Sequence, residues 1–178
     1  MHHLSLRRRT GRLAAVIVAL LASASLSGCV KVPALGSGGK GVSSIPPTNA
    51  SAERYFLDSV NSLRAAHHVR ALVLNDNLVQ KARYWSLWMA NGNCGRAANG
   101  MPMICHSSLA GGIKVRWTLL EENVGAGSPR TNLAGVANAF AHSKPHLANI
   151  VNAKVRYVGI GVAYHANTVY VTEEFMAT

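Results

Sequence analysis

Val155-Arg156-Tyr157-Val158-Gly159-Ile160-Gly161-Val162-Ala163-Tyr164 decides the fold. Arg156, Val158, Ile160, Val162 and Tyr164 alternate with Val155, Tyr157, Gly159, Gly161 and Ala163, the two-residue period of a strand. The second face carries two glycines and an alanine in a row, which lets a helix or a ligand approach the backbone closely. Asn167-Thr168 lies in a turn, and Val169 to Phe175 supplies an antiparallel partner. Lys114 to Leu120 is a further strand candidate, running into Glu121-Glu122.

Upstream the period is helical. Ser51 can cap a first helix that has Glu53 in its first turn and Phe56, Val60, Leu63 and His67 at helical spacing. Asn75 or Asp76 can cap a second, where Leu78, Ala82, Trp85 and Met89 form a seam widened by Tyr84 and Trp88. The Trp85 and Trp88 pair therefore reads as core. Asn91-Gly92-Asn93 ends that helix. Thr131 opens a third, with Leu133, Val136, Ala137 and Phe140 on one face. Pro145 suits the first position of a short fourth helix that turns Leu147, Ile150 and Val151 inward. Helices come first and strands late, so the expected class is α+β with helices packed on an antiparallel sheet.

The start of the chain speaks of export. Arg7, Arg8, Arg9 and Arg12 precede an apolar run of 14 residues, Leu13 to Leu26, the pattern of a signal peptide. As a helix that run would span about 21 Å, short of the roughly 30 Å hydrocarbon core. Leu26-Ser27-Gly28-Cys29 resembles a bacterial lipobox, in which Cys29 becomes the lipidated first residue. An ordinary secretory signal that happens to end near a cysteine is the alternative. Residues 29–50 then form a Gly/Ser/Pro tether, including Gly36-Ser37-Gly38-Gly39 and Pro46-Pro47, too poor in large apolar residues to fold. The expected organisation is signal 1–28, lipidated cysteine and tether 29–50, and one domain over 51–178. The expected location is the bacterial cell membrane, lipid-anchored on its extracytoplasmic face.

Net charge is +11 from eighteen Lys/Arg and seven Asp/Glu. Four of those arginines lie in the signal, so fourteen basic against seven acidic residues leave +7. The charges are scattered without aromatic interleaving, which argues against a nucleic-acid partner. Attraction to anionic lipid or acidic wall polymer fits equally well with simple solubility. With Cys29 assigned to lipid, Cys94 and Cys105 are the remaining pair in an oxidising setting, and a disulfide is expected, with two free thiols or a metal pair as alternatives. Redox chemistry by this pair would need a close spacing that is absent.

Candidate chemistry gathers at His106, Glu122 and His146. Two imidazoles and a carboxylate brought together could hold a divalent metal and a water, or move protons with a serine. The alternative is that the histidines are hydrogen-bonded only to stabilise the fold, with Glu122 accepting from backbone amides and Asn123 closing the domain. Glu121 reads as a solvated neighbour.

Asn61-Ser62-Leu63-Arg64, His106-Ser107, Glu122-Asn123, Phe140 to His146, His146-Leu147-Ala148-Asn149-Ile150 and Gly159-Ile160-Gly161-Val162 stand in a familiar order. Over Ala52 to Phe175 the chain resembles the CAP superfamily of cysteine-rich secretory, antigen 5 and pathogenesis-related proteins, in its bacterial SCP-like branch. The resemblance implies a three-layer α-β-α sandwich with a cleft lined by His106, His146 and Glu122. The usual Gly-Glu-Asn is Glu121-Glu122-Asn123 here, Phe140 replaces a common tryptophan, and Ser143 stands where eukaryotic members carry a second glutamate. The implied site is His106, Glu122, His146 and Ser143, which could take zinc or copper with water completing the shell.

Two functions follow. One is a binding module for a lipid, a cell-envelope component or a protein, with metal optional. The other is a cell-envelope hydrolase in which Ser143 or Ser107 acts with His146 or His106, oriented by Glu122. Neither serine sits in a nucleophile elbow. The sequence leaves the oligomeric state open.

Overall fold

The glycine face of the late strand is covered by a helix. In the computed structural model, which describes residues 49–178, strand β3 (Tyr157–His165) runs beneath helix α2 (Asp76–Ala90). A Cβ on Gly159 would fall 2.1 Å from the carbonyl carbon of Leu78, and one on Gly161 2.1 Å from that of Ala82. No side chain fits there, and backbone meets backbone. On the same helix the Ser86 hydroxyl donates to the Gly161 carbonyl and lies beside the Thr172 hydroxyl, each at 2.9 Å.

The sheet has four strands in the order β1-β3-β4-β2, where β1 is Val73–Leu74, β2 Leu119–Gly127 and β4 Thr168–Ala177. The expected antiparallel sheet is present in β3, β4 and β2. The two-residue β1, which the sequence did not announce, adds a parallel edge to β3 and makes the sheet mixed. Opposite α2, the sheet is covered by α1 (Ala50–Ala66), α3 (Leu133–His142) and α4 (Lys144–Ile150). Phe56, Val60, Val136, Phe140 and Ile150 from those helices pack on Val158, Ile160, Val162, Val171 and Phe175. The result is a three-layer α-β-α sandwich. Its sheet is covered on both faces, so every residue of β4 is buried.

Local signals explain most boundaries. The Asn75 side chain accepts from the amides of Asn77 and Leu78 and starts α2, and that of Asn132 accepts from Gly135 and starts α3 two residues after Thr131. Ser51 is not a cap. Helix α1 begins at Ala50 behind Asn49, whose amide donates instead to the Val162 carbonyl at 2.6 Å. Pro145 lies in the first turn of α4, behind Lys144. β2 begins at Leu119 rather than Lys114, because Val115 and Trp117 are exposed loop residues with nothing to bury against. The tight turn is Ala166-Asn167, one residue earlier than expected.

Two ties close the helical layer. Asn61 brackets Leu72, donating to its carbonyl at 3.2 Å and accepting from its amide at 2.8 Å. The buried Arg64 guanidinium donates to the carbonyls of Arg70 and Ile150, both at 2.6 Å, and of Asn152 at 3.0 Å. Residues 49–178 fall in one compact unit. No helix among the described residues is long and apolar enough to cross a membrane. The signal, Cys29 and nearly all of the tether lie outside the described residues.

Candidate functional site

Between α2 and β2 the chain crosses residues 91–118 with no element longer than an isolated bridge, Arg96 to Pro102. That segment carries His106, and side chains pin it. Cys94 and Cys105 form a disulfide with Cα atoms 5.7 Å apart. Trp85 of α2 donates its indole N–H to the Cys105 carbonyl at 2.8 Å, and the Tyr170 hydroxyl of β4 donates to the Pro102 carbonyl at 2.9 Å. Trp85 therefore holds the loop, while its stacking neighbour Trp88 lies at the surface instead of in the core. Both pins fall within four residues of His106.

His106 projects into solvent with 63% of its side chain exposed, yet its Nδ1 lies 2.8 Å from Oε1 of Glu122, a carboxylate only 1% exposed. The same oxygen accepts the Ser107 amide at 2.8 Å. An ionised carboxylate can only accept, so Nδ1 carries the hydrogen and the neutral ring keeps its lone pair on Nε2. Burial pushes the Glu122 carboxyl up, but hydrogen bonds from Ser107, Glu174 and His106 together outweigh it and hold the group below the ordinary carboxylate range.

Strand alternation sends Glu122 towards the α2 layer and Asn123 towards the α3–α4 layer. Each meets a buried glutamate, because Glu122 pairs across the ladder with Glu174 and Asn123 with Glu173. Lys81 of α2 lies 2.6 Å from Glu174 Oε1 and donates to the Ser107 hydroxyl at 2.8 Å. Burial pushes Glu174 up against the pull of Lys81, and the charge on Glu122 adds to the rise, to about 8. On the other face the Asn123 amide donates to Glu173 at 3.0 Å and to the His146 carbonyl at 3.2 Å. Asn149 in turn donates to the Asn123 side chain at 3.0 Å. Burial carries Glu173 to about 8 despite the Asn123 bond.

Sequence reasoning missed Lys81, Glu173 and Glu174. The available signal was Glu173-Glu174 itself, two acids interrupting the apolar run Val169 to Met176 in a strand whose neighbours leave neither face to water.

His146 belongs to a different hollow. It lines a cavity of about 420 Å³ with Ser143, Phe140, Val136, Gly125 and Ile104, whereas His106, Ser107, Glu122 and Asn149 line another of about 420 Å³. The His146 ring sits edge-on to Phe140 at 5.0 Å between centroids, and its Nδ1 is buried without a hydrogen-bond partner. Burial first, and the charge of His106 second, lower its pKa and favour the neutral ring. The two histidines thus sense one another electrostatically while facing separate depressions. The Ser143 hydroxyl makes no capping bond to α4, and the Ser107 hydroxyl accepts from Lys81.

Among the described residues no group of three or more His, Cys, Asp or Glu side chains could hold a metal ion. His106 and Ser107 engage Oε1 of Glu122, and His146 lines the other hollow. Among the described residues His106, His146 and Glu122 thus do not form a cluster of three protein ligands.

Residues 57–176 match the cysteine-rich secretory protein (CAP) family. The chain belongs to that family. A search of curated proteins returned no match. Among solved structures, the CAP fold here is similar to an extracellular SCP-domain protein of Bacillus anthracis, at 22% identity and a TM-score of 0.56, over 72% of this chain and 41% of that one. The chain thus spans less than half of the Bacillus protein. It is similar to an outer surface protein of Borrelia burgdorferi at 16% identity and a TM-score of 0.59, over 74% of this chain and 96% of that one. NaASP2, crystallised with Zn2+, shows 16% identity and a TM-score of 0.52, over 73% of this chain and 83% of that one. At these identities the likeness is one of fold.

Proposed function

We propose that the protein is a lipid-anchored, extracytoplasmic binding module of a bacterial cell envelope, in which the His106/Glu122 hollow presents Nε2 of His106 to a lipid or another envelope component. The anchor rests on Leu26-Ser27-Gly28-Cys29 and the arginines before the apolar run. The observation that carries the binding reading is the engagement of Glu122: its buried carboxylate holds the exposed His106 ring and the Ser107 amide in place. That fixes a recognition surface. The Ser107 hydroxyl accepts from a lysine already paired with Glu174 rather than meeting a histidine, which favours binding over a serine nucleophile. A groove of about 750 Å³ between α1 and α3, bordered by Tyr55, Leu63, Ala134 and Ala137, offers apolar surface that suits an acyl chain.

A metal ion is optional in this reading. Full-length protein is tested against vesicles of anionic phospholipid and against solubilised wall fragments. His106→Ala is expected to weaken retention of one of these probes about tenfold, without turnover by either protein. Hydrolysis of an ester or wall substrate that disappears in Ser107→Ala or Ser143→Ala would replace this reading with the hydrolase.

A further inference from the structure

Lys114-Val115-Arg116-Trp117 alternates cations with large apolar residues, and all four are exposed. The segment belongs to no strand, yet backbone bonds hold it at both ends. The Lys114 amide donates to the Asn77 side chain at 2.8 Å, and Asn77 donates to the Gly112 carbonyl at 3.1 Å. At the other end the Thr118 amide donates to the Ala177 carbonyl at 2.9 Å. Val115 and Trp117 are thus presented to water at 40% and 45% exposure without being needed for the loop's shape.

The sheet widens this patch. Backbone bonds run across one end of it, from the Val73 amide to the Arg156 carbonyl, from the Arg156 amide to the Met176 carbonyl, and from the Thr118 amide to the Ala177 carbonyl. They bring the start of β1, at Val73 and Leu74, to the same end of the sandwich as Arg116 and Trp117, about three strand spacings or roughly 15 Å away. Val73 and Leu74 are each more than half exposed, and Leu74 lines a hollow together with Lys114 and Val115. Scattered apolar residues on a surface are ordinary, whereas a cluster of them rimmed by charge marks an interaction site.

The charge here has one dominant sign. No acidic residue occurs from Ser107 to Leu120, and Lys154 and Arg156 add exposed cations beside β1. The acids nearby are Asp76, in the first turn of α2, and Glu121, which already accepts from Asn152 at 2.9 Å. A second exposed aromatic patch, Tyr84 with Trp88 on α2, lies on a helix whose Arg83 is paired with Glu53. An acidic polymer would engage the cations and leave the tryptophan and the aliphatic side chains in water. A bilayer of anionic lipid engages both, with ammonium and guanidinium groups at the phosphates and indole at the headgroup boundary.

We propose that this end of the sandwich docks on an anionic membrane, setting Leu74, Val115 and Trp117 into the headgroup boundary while Lys114 and Arg116 meet lipid phosphates. The proposal rests on the envelope reading for the nearness of a membrane and adds the surface that meets it. A domain anchored through Cys29 has the bilayer as its permanent neighbour, so a contact that is weak in solution becomes a preferred orientation. That orientation also serves the His106 hollow, because Leu120 and Glu121, which line it, follow Trp117 closely in the chain.

The test places the full chain on vesicles of brominated phosphatidylglycerol or brominated phosphatidylcholine and reads quenching of tryptophan emission. The tryptophans are Trp85, Trp88 and Trp117, so nothing before residue 85 contributes signal, however it meets the vesicle. Phosphatidylglycerol should quench the wild type severalfold more than phosphatidylcholine does. Trp117→Phe should lose most of that quenching, and the double variant Lys114→Glu, Arg116→Glu should reduce it severalfold. These are exposed side chains, and the backbone bonds that shape the loop do not depend on them. Undiminished quenching in Trp117→Phe would put α2 on the lipid and overturn the proposal. Equal quenching by the two lipids, or by wild type and the charge-reversed variant, would overturn it as well. An emission change with soluble polyphosphate but none with vesicles would assign the patch to an acidic polymer instead. His106→Ala should leave the quenching unchanged, so a hollow that retains no ligand and a surface that does not dock are separate results.

Discussion

A Cβ on Gly161 would stand 2.1 Å from the carbonyl carbon of Ala82 and 2.2 Å from its oxygen. Both atoms belong to helix backbone and cannot step aside as a side-chain tip would. Gly161→Ala should therefore lift α2 off the sheet and cost more than about 3 kcal/mol, at or beyond the upper end of ordinary overpacking. Gly125→Ala is the comparison. Its Cβ would meet the Phe140 ring at 2.8 Å, and a ring can rotate, so the cost should be smaller. Urea unfolding of both variants orders them. Equal midpoints would contradict the difference between rigid backbone and movable side chain.

Glu173 should make stability depend on pH in a predictable sense. Its folded carboxyl is pushed up to about 8 by burial, from an ordinary value of 4.5. Below 4.5 both folded and unfolded chains hold the proton, and its full contribution is present. As pH rises towards 8 the unfolded chain releases that proton while the folded one retains it, so stability is lost. Glu173→Gln cannot ionise and should escape this loss. The melting temperature of the variant relative to wild type should climb between pH 5 and pH 8, and a constant difference would show that Glu173 ionises freely in the fold.

Arg64 ties the end of α1 to the end of α4 through three backbone carbonyls. Arg64→Met removes the donors and leaves buried acceptors without partners, at a cost on the order of 3 kcal/mol. Arg64→Lys should recover little of it, because an ammonium cannot span the forked geometry of a guanidinium. Chemical denaturation of both variants gives the answer, and a lysine variant close to wild type would remove the geometric argument.

Breaking the Cys94–Cys105 bond opens a loop of 12 residues, counted inclusively. In the chain-entropy picture that costs roughly 3 kcal/mol. The paired Cys94→Ser, Cys105→Ser variant should melt lower than the oxidised protein, and the His106 ring resonances should broaden as the neighbouring loop loosens. Sharp, unshifted resonances would mean that Trp85 and Glu122 position His106 without the disulfide.

Much of this fold was legible because a few residues carry unambiguous constraints. Gly159 and Gly161 announced a close approach on one face of a strand, and Asn75 announced a helix start. Ser51 misled because Asn49, two residues earlier, reaches across to Val162, a contact between parts of the chain over a hundred residues apart. β1 was invisible because two residues, Val73 and Leu74, have no period. Lys114 to Trp117 alternates like a strand but finds no partner in the sheet. In the candidate site, His106, Glu122 and His146 were marked by residue type and order. Lys81, Glu173 and Glu174 were not, because a charged residue reads as solvent-facing until the layers that bury it are known.

The pleat of β2 gives the domain a hereditary weak point. Consecutive residues 122 and 123 serve opposite layers, an acid on one side and an amide on the other. Inserting or deleting one codon upstream within that strand would exchange them, placing the amide beneath the imidazole and the acid among the interhelical bonds. Point substitutions can drift through the surrounding loop, but the reading phase of this short ribbon must be inherited intact.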